Sequence, residues 1–200
     1  ASVDVGSMVA SSFEIGKEDF MKGNLKFRSE NGKEGKISNA GEIKAQANGF
    51  VALLAPEVRN QGVIFAKKGS VVLASGEMVE LQTNPSQRLI GIRVEKGKWD
   101  TLVENSKVIE ADNGMVLLSA QAENSLLQGL VQNSGVIQAR GIKKSGGRII
   151  LTAGEGGTVQ QNGVIDVSSN FATGGLVTLE GDKIGLAENS LIDATGLKGG

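Results

Sequence analysis

The chain has 200 residues, with 21 basic and 22 acidic side chains for a net charge of −1, and it contains no His, Cys or Tyr. That balance excludes an ordinary basic nucleic-acid-binding domain. The missing side chains exclude an imidazole base, a thiol nucleophile, a disulfide and a zinc site of the usual ligand set.

Ala1-Ser2-Val3-Asp4 has neither the basic start nor the apolar run of a signal peptide. No stretch of about 18 apolar residues occurs, so no transmembrane segment is expected. From there a phrase of the form Asn-x-Gly-x-Ile-x-Ala recurs. It appears at Asn39–Ala45, Asn60–Ala66, Asn105–Ala111 (with Lys107 for Gly) and Asn133–Ala139, with weaker copies ending at Ile165 and Ile192. The isoleucines stand 21, 28, 28 and 27 residues apart, with one gap of 45 between Ile64 and Ile109. A second phrase follows each first one: Val51, Leu53 and Ala55; Val71 and Leu73; Val116, Leu118 and Ala120; Ile149, Leu151 and Ala153; Val177 and Leu179.

Period-2 alternation puts each set on one face of a short strand. Two such strands with a bend between them cannot bury their apolar face alone, whereas stacking successive units builds a continuous core. The expected fold is therefore an all-β, right-handed parallel β-helix, at about 4.8 Å per rung. Residues 1–200 read as one β-helix domain. The asparagines heading the phrase (Asn39, Asn60, Asn105, Asn133) are expected at matching corners, bonding one another up the stack.

Interruptions follow in chain order. Residues 77–104 are expected to leave the helix as a β-hairpin with arms Met78–Leu81 and Leu89–Val94, then another turn of helix over Trp99–Val103. Residues 121–132 form an insertion in which Leu126, Leu127 and Leu130 line one face of a short helix. Residues 140–147 and 168–175 protrude as loops.

Several segments together resemble a known family. They are Val5–Ser11, Glu18-Asp19-Phe20-Met21-Lys22-Gly23-Asn24-Leu25-Lys26-Phe27, Gly49–Pro56, Asn60–Ile64, and the run from Leu126 through Val131-Gln132-Asn133-Ser134-Gly135-Val136-Ile137. They are similar to the secretion domain of filamentous-haemagglutinin-type exoproteins, the passengers of two-partner secretion in Gram-negative bacteria. The resemblance covers essentially the whole chain in order. It implies a non-enzymatic, secreted or surface-displayed adhesin whose cognate outer-membrane β-barrel transporter recognises this domain and exports the chain unfolded. It also implies contact with a host or bacterial surface glycan or protein. The family's Asn-Pro-Asn motifs lie near the mature N-terminus, whereas the one Asn-Pro here, Asn84-Pro85, sits in the hairpin. The expectation is that the chain is a fragment beginning after the start of such a domain. Adhesin and toxin-carrying roles both stay open, as does a β-helix carbohydrate-active enzyme built on carboxylates.

The carboxylates for such an enzyme are Glu110, Asp166, Asp182 and Asp193. Asp166 and Asp193 follow equivalent isoleucines and stack on one outward face, where a solvated wall is the preferred reading because no several groups converge. Arg140, Lys143, Lys144 and Arg148 are the densest basic patch and a candidate contact for an anionic glycan or the transporter. Trp99, the only tryptophan, is a candidate sugar platform or a lid on the core beside the hairpin. No cofactor and no metal are expected.

Overall fold

A computed structural model describes residues 1–29, 35–123, 126–142 and 144–197. Its backbone is a stack of parallel rungs, and the isoleucines set the stack. Ile43, Ile64, Ile109, Ile137, Ile165 and Ile192 pair in register as one column of a seven-stranded parallel sheet. The long gap closes here, because Ile64 and Ile109 are direct neighbours and the hairpin absorbs the extra residues. A second face carries the second phrase: Val51, Val71, Val116, Ile149 and Val177 align, as do Leu53, Leu73, Leu118, Leu151 and Leu179.

The two-strand unit read from the sequence is one strand short. Each complete rung has a third, formed by Lys36–Asn39, Glu57–Asn60, Thr101–Asn105, Gly129–Asn133 and the far ends of the long strands Arg148–Gln161 and Leu176–Leu186. Its inward residues include the single valines Val58, Val103, Val131 and Val159, each followed by a polar residue, and all four are fully buried. One apolar residue per strand is enough here because the other two faces supply most of the core.

The turn between first and second faces repeats a glycine. At Gly49, Gly69, Gly114, Gly147 and Gly175 an added Cβ would stand 1.9–2.2 Å from the carbonyl oxygen of the glycine below, or of Gly6 for the first. Asn48, Lys68 and Asn113 precede three of these with φ of 70°, 58° and 59°, so the turn needs a left-handed residue followed by a bare Cα.

A second apolar layer lies outside the helix. Phe50–Leu54 is apolar at every position and buried on both faces, as expected of a strand covered on both sides. Its outward side chains Phe50, Ala52 and Leu54, with Val72, Ala74 and Leu117 of neighbouring rungs, pack under Phe13, Phe27, Val79, Leu81 and Leu89. Phe27, Val79, Leu81 and Leu89 come from a four-stranded antiparallel sheet in the order Leu89–Glu95, Met78–Thr83, Leu25–Arg28, Glu14–Ile15, and Phe13 immediately precedes its last strand. The expected hairpin is therefore present, and its arms are the outer half of this covering sheet.

Two helix expectations are corrected. Thr101–Asn105 is a strand of the stack, so the excursion ends near Gly97, which bridges to Ala122. Among the described residues of 121–132 there is no helix: Leu126 is 90% exposed and Gly129–Asn133 is a strand. The helix among the described residues is instead Lys17–Lys22, closed by Gly23 in the left-handed conformation. It has no buried residue, so no apolar face marked it in the sequence.

Candidate partner-recognition surfaces

The repeat's asparagines form a buried ladder. Asn39 Nδ2 donates to Asn60 Oδ1, Asn60 to Asn105, Asn105 to Asn133, and Asn133 to Gln161 Oε1, each at 2.8 Å. Asn60, Asn105, Asn133 and Gln161 are fully buried. Each amide is both donor and acceptor, so the ladder satisfies itself and pins rung register. It has no group left for a ligand, which agrees with its reading as scaffold.

The basic cluster does not hold together. Arg140 sits one 28-residue rung above Asp112 and is consumed by it. Its backbone N–H donates to Asp112 Oδ1 at 2.9 Å, its Nε to the same oxygen at 3.3 Å, and its Nη2 to Oδ2 at 3.2 Å. The Asp112 side chain is only 2% exposed. Lys143 lies outside the described residues. Lys144 and Arg148 are exposed, and among the described residues neither is paired with a carboxylate. Of the described residues of the expected patch, these two are exposed without a carboxylate partner.

The carboxylates stack as the phrase implied. Glu110, Gln138, Asp166 and Asp193 occupy one outward column of the first face. Asp166 and Asp193 are spent on turns, accepting from the backbone N–H of Ser168 and of Thr195, both at 2.9 Å. The Thr195 backbone and hydroxyl hydrogen bonds hold the Asp193 carboxyl below its ordinary value. Asp182 is exposed on the strand Leu176–Leu186. Among the described residues no three metal-ligating side chains cluster.

Glu110 differs from these. Burial first, and the neighbouring Asp112 second, raise its carboxyl above the usual range. Such a group favours folding most when protonated, and that contribution is lost as pH rises through the raised value. Glu110→Gln is therefore expected to raise the melting temperature at neutral pH. The gain should vanish near pH 4, around the ordinary carboxylate value, and paired thermal melts at the two pH values check it.

Trp99 stands at the foot of the hairpin, where the chain re-enters the stack. Its indole edge lies over Gly97, where an added Cβ would come within 3.1 Å of Nε1. The ring lines a cavity of about 480 Å³, together with Pro56, Glu57, Asp100, Leu102, Gln128 and Leu130 among others. Asp100, Gln128 and Asp112 belong to no recurring phrase, so no motif marked them in the sequence. The one available signal was spacing: Asp112 and Arg140 differ by one repeat length.

The family model for the TPS secretion domain matches residues 1–183. The chain belongs to the TPS secretion domain family. A heme/hemopexin-binding protein of Haemophilus influenzae is 34% identical over 136 residues, which is 68% of this chain and 14% of that protein. The chain thus spans about a seventh of that relative's length. The crystal structure of the HMW1 secretion domain from Haemophilus influenzae superimposes with a TM-score of 0.72, covering 98% of this chain and 60% of that one at 23% identity. That likeness establishes the shared β-helix. The chain is accordingly the secretion domain of a two-partner-secreted exoprotein.

Proposed function

We propose that this chain is the export module of a larger secreted or surface-displayed exoprotein, recognised by a cognate outer-membrane β-barrel transporter. The observation that carries this reading is the family match over residues 1–183. The physics of the chain is compatible with passage in an unfolded state. It has no cysteine, so no disulfide has to form or break, and a stack in which rungs contact neighbours can nucleate once and propagate as chain emerges. Among the described residues no helix is long and apolar enough to cross a membrane.

The exoprotein as a whole is proposed to act at a surface, as an adhesin or in ligand capture. The printed name of the Haemophilus relative supports including capture. Iron ligation to haem would belong to another part of the exoprotein, since this chain lacks His, Cys and Tyr. Lys144 and Arg148 are the proposed basic contacts for the transporter.

The test is secretion of the chain from a Gram-negative host, with and without a co-expressed two-partner-secretion transporter. Export to the medium only with the transporter is expected. Equal amounts in the medium under both conditions would overturn the reading.

A further inference from the structure

We propose that the cavity beside Trp99 is a binding site for a neutral sugar ring, so that the secretion domain itself holds a glycan independently of its export. Three stretches from separate parts of the chain converge there. They are the return from the hairpin at Trp99–Asp100, the corner Pro56–Glu57, and the end of the insertion at Gln128–Leu130.

The walls are fixed by backbone bonds. Thr101 N–H donates to the Gln128 carbonyl at 2.8 Å, Leu102 N–H to the Pro56 carbonyl at 3.0 Å, and Gln128 N–H to Asp100 Oδ1 at 2.7 Å. Asp100 is thus oriented by one oxygen while no hydrogen bond engages the other among the described residues. Trp99 is held by packing alone, its buried Nε1 having no partner. Its ring is therefore a wall of the cavity whose position is set by Gly97 beneath it.

This is the chemistry a pyranose needs. One face of the sugar presents C–H groups, which pack on an indole and on Pro56 and Leu130. Its rim presents hydroxyls, which donate to Asp100 and Glu57 and exchange hydrogen bonds with the Gln128 amide. The volume of about 480 Å³ falls within the usual range for small-molecule sites. Charge decides between sugar classes. Lys36 also lines the cavity, but it is held by Glu57 at 2.6 Å, and Arg59 pairs with both Glu57 and Glu104, so these four charges cancel and Asp100 is left as the unneutralised charge at the rim. A uronate or sialate would meet that carboxylate, whereas a neutral hexose or N-acetylhexosamine would donate to it. An apolar peptide would cover Asp100 without replacing its water.

Because Trp99 is the only tryptophan, its fluorescence reports on this cavity alone. Titration of the full chain with lactose, maltose and N,N′-diacetylchitobiose is expected to give a saturable change for at least one of them. Sialyllactose and a Pro-Leu-rich peptide should give none. Asp100→Asn and Leu130→Phe both retain the reporter, and each should weaken the response tenfold or more while leaving transporter-dependent export unchanged. Isothermal calorimetry on Trp99→Ala, read beside its melting curve, gives the same comparison without the reporter. Absence of a saturable change with all three neutral sugars would overturn the proposal, as would undiminished binding in Leu130→Phe. A response to sialyllactose or to the peptide alone would reassign the cavity and overturn it equally.

Discussion

Ile137→Asp is expected to destabilise the chain by about 4 kcal/mol or more, whereas Val136→Asp on the same strand should change little. Ile137 is fully buried, stacked between Ile109 and Ile165 in the central column. Removing its apolar bulk leaves a void worth a few kcal/mol, on the order of 2–5 for a buried Ile cut to Ala. The aspartate adds a carboxylate with no partner in an apolar interior, so it folds only by taking up a proton or admitting water. Val136 faces outward and is half-buried, so its replacement keeps access to solvent. For a chain of this length about 1 kcal/mol moves the melting temperature by roughly 2–4 °C. Ile137→Asp should therefore melt on the order of 10 °C below the parent, and Val136→Asp within a few degrees of it. Rungs couple mainly to their neighbours, so hydrogen exchange should rise first at Val108–Glu110, Val136–Gln138 and Val164–Asp166. Equal melting of the two variants would mean that the inward and outward assignment of this column is wrong.

That column is also where the sequence speaks most clearly. A parallel stack repeats one environment, so Ile43, Ile64, Ile109, Ile137 and Ile165 each answer to the same cavity and recur at a readable spacing. The third strand of each rung gave a weaker signal. Val58 or Val103 is a lone inward apolar residue, and the inward residue that follows, Asn60 or Asn105, is polar because it belongs to the ladder. The covering sheet was half legible: Met78–Thr83 and Leu89–Glu95 alternate as a hairpin should, but Leu25–Arg28 joins them from far along the chain. The run Phe50-Val51-Ala52-Leu53-Leu54 was the visible sign of that cover, since only a strand buried on both faces needs apolar side chains of both parities. The leucines at 126, 127 and 130 suggested a helix by spacing alone. Tertiary pairing of Leu130 with Leu102 and Thr158 overrides that spacing. Arg140 follows a related rule: nearness in sequence counts for little in a solenoid, where the neighbour of a turn residue lies one repeat away.

The pair that shows this best, Asp112 and Arg140, carries the second large expected effect. Arg140→Ala should cost about 3 kcal/mol. Breaking a buried ion pair from one side typically costs roughly 3–5 kcal/mol. The low end applies because the Arg140 side chain is 41% exposed and its backbone N–H still donates to Asp112 Oδ1 after truncation. The cost arises from the carboxylate left behind, which is 2% exposed and loses both guanidinium bonds. Asp112→Asn combined with Arg140→Ala should therefore be less destabilised than Arg140→Ala alone, because the double variant buries no charge. A double variant at least as unstable as the single would locate the cost in lost packing of the arginine stem. Lys144→Ala and Arg148→Ala should each fall within about 0.5 kcal/mol of the parent, as exposed side chains away from such features do. Thermal melts run beside the export assay then separate two roles within one run of basic residues. Loss of export in Lys144→Ala or Arg148→Ala at an unchanged melting temperature would mark a transporter contact. Loss in Arg140→Ala that follows its melting temperature would mark a turn whose charge is already spent on the rung below.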